Sequence, residues 1–149
     1  MNLEYLSLRN DRLKDIPSNL SALKNLKVLD LSGNDFTELP LSFNKLYNLE
    51  EIFLNDEKYL NLTKVVDALH RLPNLKMLHL ENADITFVPR KIYTMRKLEF
   101  LNLSNNEIVE VPLVLRFMPS LEYFDIRENK LEMDMNQIYK PQGSLKIMF

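Results

Sequence analysis

A leucine opens each of six similar segments, at Leu3, Leu26, Leu49, Leu75, Leu98 and Leu121, with steps of 23, 23, 26, 23 and 23 residues. A period this regular in a chain of 149 residues restricts the fold to stacked copies of one short unit. Such a unit has an apolar edge that it cannot bury alone, so each copy must cover its neighbour. The clearest copy runs from Leu98 to Pro112, LEFLNLSNNEIVEVP. There Leu98, Leu101, Leu103, Asn106 and Ile108 keep the spacing L-x-x-L-x-L-x-x-N-x-L.

Geometry explains the residue types. In LKVLDL, Leu26, Leu29 and Leu31 fall on one side of an extended segment, and Val28 and Asp30 on the other. Asn34 then suits a turn, because asparagine tolerates tight backbone conformations and its amide bonds exposed main-chain groups. The chain returns through Ile16-Pro17, Leu39-Pro40, Val88-Pro89 and Val111-Pro112, where proline suits an extended or helix-starting position whose N–H is unused. The apolar residues that follow, Leu20 and Leu23 or Ile92 and Met95, stand three apart, which suits one helical turn or a short 3₁₀ piece on the convex side. The third unit is three residues longer. Its Leu62, Val65, Val66, Leu69 and Leu72 predict an α-helix of two to three turns, capped by Asn61 or Thr63. Glu57 and Ala83 replace the turn asparagine in the third and fourth units, and Asp11 in the first. With asparagine left only at Asn34, Asn106 and Asn129, an irregular middle is expected.

This pattern resembles the leucine-rich repeat family from Leu3 to about Leu131, and its L-x-x-I/L-P tail is similar to the 23-residue variety of cytoplasmic scaffold proteins. The resemblance implies an α/β solenoid, a curved right-handed superhelix with a parallel β-sheet on its concave face. Short helical, 3₁₀ or extended segments would line the convex face. The whole chain, residues 1–149, then reads as one domain of about six repeats, with 132–149 as a candidate C-terminal cap. Ile138, Tyr139, Leu145, Ile147 and Phe149 would fold over the last repeat, with an alternating strand from Leu145 to Phe149. The lack of a cap before Leu3 reads as an excerpt of a longer protein or as an edge that a partner covers.

Chemistry finds little support in the residues. The net charge of −2 argues against a nucleic-acid partner, and no apolar run approaches the ~18 residues of a membrane span. Without cysteine there is no disulfide framework, thiolate site or cysteine nucleophile. The only glycines, Gly33 and Gly143, form no phosphate loop, and His70 and His79 form no zinc motif. Asp30 and Asp125 occupy equivalent positions four repeats apart, about 19 Å at ~4.8 Å per strand, too far for a catalytic carboxylate pair. No apolar leader precedes Leu3, so a cytoplasmic protein without glycosylation at Asn19, Asn61 or Asn102 is expected. No enzymatic activity, cofactor, metal or membrane contact is expected.

The concave face is the expected binding surface. Its candidate residues are Tyr5, Arg9, Asp30, Glu51, Phe53, Met77, His79, Glu81, Phe100, Asn102, Tyr123, Asp125 and Arg127. Met77, Phe100 and Tyr123 hold one position in consecutive units and are expected to form an exposed apolar strip. With Asp56 and Glu128 added, six acids face Arg9 and Arg127, a net of −4 that favours a partner with a basic or mixed apolar and basic surface. A protein-interaction module or scaffold is the primary reading. The alternative is a recognition segment of a larger repeat-containing enzyme (a kinase, GTPase or ubiquitin ligase) or of a secreted receptor. The pairs Arg90-Lys91 and Arg96-Lys97 fall on the return side and read as solubilising charge.

Overall fold

The computed structural model describes residues 2–132 and 144–149. Every repeat contributes a strand of three residues: β1 (Tyr5–Ser7), β2 (Val28–Asp30), β3 (Glu51–Phe53), β4 (Met77–His79), β5 (Phe100–Asn102) and β6 (Tyr123–Asp125). A seventh, β7 (Lys146–Met148), follows, and all seven pair in parallel in chain order. The register is unbroken, so Leu6, Leu29, Ile52, Leu78, Leu101, Phe124 and Ile147 stand side by side. That column points into the core, where the residues from Leu29 to Phe124 are buried. Residues on either side of it point to the opposite face.

Among the described residues four return segments are 3₁₀ turns, Ser18–Ala22, Leu41–Lys45, Arg90–Thr94 and Leu113–Phe117, each directly after a proline. The proline carbonyl accepts the N–H three residues on, from Leu20, Phe43, Ile92 and Leu115 in turn. Three residues per turn put side chains at i and i+3 over one another. Phe43 and Leu46, or Ile92 and Met95, therefore both reach the core. The extra residues of the third unit form α1 (Leu62–Leu69), whose buried face is Leu62, Val65, Val66, Ala68 and Leu69. The Asn61 side chain caps it by accepting the Lys64 N–H at 3.2 Å. Eight α-helical residues span ~12 Å and five 3₁₀ residues ~10 Å, so a change of helix type stores the insertion.

Turn asparagines tie each repeat to the one before it. Asn34 Oδ1 accepts the N–H groups of Asp11 and Leu13, and its amide donates to the carbonyls of Leu8 and Leu31. Asn106 repeats the arrangement with Ala83 and Ile85, and Asn129 accepts from Ile108. Glu57 is a longer substitute: its Oε1 accepts the Asn34 N–H at 2.8 Å. The irregular middle is not seen in the sheet, because β3 and β4 pair in full register despite Glu57 and Ala83. Of the expected cap, β7 is formed and Leu145 is buried, whereas Ile138 and Tyr139 lie outside the described residues.

The residue before each turn position adopts a left-handed backbone: Asn10, Gly33, Asp56, Asn82, Asn105 and Glu128, with φ between 53° and 71°. A Cβ at Gly33 would lie 2.0 Å from Asn10 Oδ1. Gly33→Ala is therefore expected to lose about 1–2 kcal/mol in urea unfolding, from backbone strain plus displacement of Asn10. An unchanged unfolding midpoint would contradict this.

Candidate concave binding surface

Two columns of side chains stand on the face opposite the core. One runs Tyr5, Val28, Glu51, Met77, Phe100, Tyr123, Lys146, and the other Ser7, Asp30, Phe53, His79, Asn102, Asp125, Met148. Aromatic rings link the two. Phe53 stacks on His79 with centroids 4.1 Å apart and planes at 14°, and His79 tilts against Phe100 at 4.9 Å. Phe100 then stacks on Tyr123 at 4.8 Å with planes at 4°. The hydroxyl of Tyr123 reaches Met148 Sδ on β7 at 3.0 Å. The result is a diagonal ladder over β3 to β6 that crosses from one column to the other between β4 and β5.

The expected column of Met77, Phe100 and Tyr123 stands in register, and the ring ladder adds His79 and Phe53 from the neighbouring column. The ring against Phe100 from β4 is His79, while Met77 stands half-buried beside it in the register column. Phe53 and His79 at the same position in consecutive repeats were the available signal. His79 is held further by Glu51 on β3, whose Oε1 lies 2.9 Å from its Nε2. The ladder rings are half-buried, because stacking hides their faces and leaves edges toward solvent.

Several candidate polar residues have structural work as well. The side-chain oxygens of Asp30, Asn102 and Asp125 each accept the N–H two residues on, from Ser32, Ser104 and Arg127. They close the strand ends in the manner of Asx turns. Asp125 is only 3% exposed, and both its oxygens bind the Arg127 guanidinium, at 3.1 and 2.7 Å. That carboxylate raises the Arg127 pKa above its ordinary value. Asp125 is thus not the open acid expected from its alternation. Arg9 pairs with Asp56 at 3.6 Å, both exposed, and Tyr5 stands 59% exposed on β1. Glu81, Ser104, Asn105, Arg127 and Glu128 line a shallow recess of about 280 Å³ at one rim of the sheet. Among the described residues, no three His, Asp or Glu side chains converge as metal ligands do.

The parallel sheet, its proline-initiated returns and its asparagine ladder define a leucine-rich repeat solenoid. Sequence models described as "Leucine Rich repeats (2 copies)" and "Leucine Rich Repeat" match residues 2–41 and 97–118, and the chain is a leucine-rich repeat protein. Comparison with curated proteins gave no sequence match. Among solved structures, an internalin C2 (inlC2) from Listeria monocytogenes str. 4b F2365 superposes with a TM-score of 0.70 at 22% identity, over 91% of this chain and 56% of its own. An internalin (inlF) from the same strain gives 0.68 at 18%, over 92% and 38%. The Drosophila Toll–Spatzle complex gives 0.75 at 19%, over 95% of this chain and 19% of that one. The chain spans less than two thirds of each of these structures. At such identities the likeness is one of fold.

Proposed function

We propose that this chain is a non-catalytic, cytoplasmic protein-interaction module that binds a macromolecular partner on its concave sheet. The Phe53–His79–Phe100–Tyr123 ladder is the observation that carries the reading. Stacked rings are rigid, so docking against their edges costs little side-chain entropy, and aromatic clusters within a polar rim are the usual binding hot spots. The rim is acidic. Arg9 and Arg127 are taken by Asp56 and Asp125, which leaves Asp30, Glu51, Glu81 and Glu128 with no Lys or Arg ion pair among the described residues. A partner presenting Lys or Arg around an apolar knob fits both features.

The test is affinity capture from native lysate with wild type and a Phe100→Ala/Tyr123→Ala variant, with thermal melts of both. Loss of two central aromatic contacts is expected to weaken the partner at least ~30-fold, about 2 kcal/mol. Retention of the same partner by an equally stable variant would move the interface off this face.

A further inference from the structure

The face opposite the sheet carries charge of the other sign. The return segments cover residues 18–25, 41–48, 62–74, 90–97 and 113–120. They hold nine Lys or Arg and a single acid, Asp67, a net of +8 in a chain of net −2. Even Asp67 is neutralised, because Lys91 Nζ lies 2.6 Å from its carboxylate and holds its pKa below the ordinary value. Because side chains three apart coincide on a 3₁₀ turn, outward positions form rows. Leu41 and Asn44 in the second repeat and Arg90 in the fourth stand on these turns, with Tyr47 and Arg96 just beyond them. Leu41 is 66% exposed, and Tyr47, Leu113 and Phe117 are also exposed, standing among the cations of the same side.

From this we propose that the convex face is a peripheral docking surface for an anionic lipid bilayer. A basic field attracts the acidic leaflet, and exposed Leu, Tyr and Phe side chains enter the headgroup boundary. Separate apolar side chains among cations suit a fluid interface, and the aliphatic Leu41 and Leu113 offer a nucleic acid nothing to stack on. No helix among the described residues is long and apolar enough to cross a membrane, and surface docking requires none. The sheet, on the opposite side, would then face away from the lipid with its ladder open. This goes beyond the concave-face reading and departs from the expectation of no membrane contact, which considered the whole chain's charge rather than its distribution.

Co-sedimentation with phosphatidylcholine vesicles, with and without phosphatidylserine, tests it. Wild type is expected to bind only the phosphatidylserine vesicles and to be released by salt. Each basic residue near such a surface is worth roughly fivefold in partitioning, so Arg90→Glu/Lys97→Glu should weaken binding at least ~20-fold. Leu113→Ser/Phe117→Ser should weaken it too, and Phe100→Ala/Tyr123→Ala, on the other face, should leave it unchanged. The proposal is overturned if wild type ignores phosphatidylserine vesicles, if the charge-reversed variant binds as wild type does at the same melting temperature, or if duplex DNA displaces the vesicles.

Discussion

Asn106→Leu is expected to destabilise the protein by on the order of 4 kcal/mol, one of the two largest effects foreseen for a single substitution. Leucine nearly matches asparagine in size, so the loss is one of hydrogen bonds rather than of volume. Asn106 is buried, and its Oδ1 accepts the N–H groups of Ala83 at 2.9 Å and Ile85 at 3.0 Å. Its amide donates to the carbonyls of Leu80, Leu103 and Ser104. Leucine strands both N–H groups in a dry core, and each unsatisfied buried group costs about 1–3 kcal/mol. Urea unfolding measures the loss. An unchanged unfolding midpoint, or lost partner binding by a fully folded variant, would show that Asn106 belongs to a binding site instead.

Glu57→Gln is expected to remove most of the acidic-side pH dependence of stability. Glu57 is fully buried, with one carboxyl oxygen on the Asn34 N–H and the other without a hydrogen-bond partner among the described residues. Burial raises its pKa from 4.5 to about 7, the Asn34 N–H opposes the shift, and the charges of Asp35 and Asp56 add to it. A carboxyl raised in the folded state binds its proton more tightly there than in the unfolded chain. Its contribution is therefore complete below pH 4.5, declines as pH rises through about 7, and is absent above. The difference corresponds to roughly 3 kcal/mol. Relative to the glutamine variant, wild type should lose about that much between pH 4.5 and 8 in denaturant titrations, with glutamine keeping the acceptor for Asn34. Parallel pH profiles for the two proteins would refute the assignment.

The contrast between these two positions shows how far residues alone could be read. Asn106 sits in the strongest copy of the motif, and its role follows from spacing, because a turn of that length leaves main-chain groups that a short amide satisfies. Glu57 looked like a lapse in the same pattern. Its burial depends on the repeats above and below, with Asn34 brought onto its carboxylate from 23 positions away. The surface divides in the same way. Alternation correctly set Met77, Phe100 and Tyr123 in one column of one face, but the meeting of the His79 ring with Phe100 across the two columns was not legible in it. Asp125 alternates outward as expected and is nevertheless enclosed by the guanidinium of Arg127.

What the sequence determined by itself is the repeating unit: the period, the inward leucines, the proline-initiated returns, the helix at Leu62–Leu69 and the family they define. These are local consequences of spacing and backbone preference, complete within some twenty residues. Tertiary structure decided which side chains meet across neighbouring repeats: the aromatic ladder, the buried Glu57, and the division of charge between two faces. Such contacts join residues 21 to 28 positions apart, and only stacking in register sets their distance, exposure and common face.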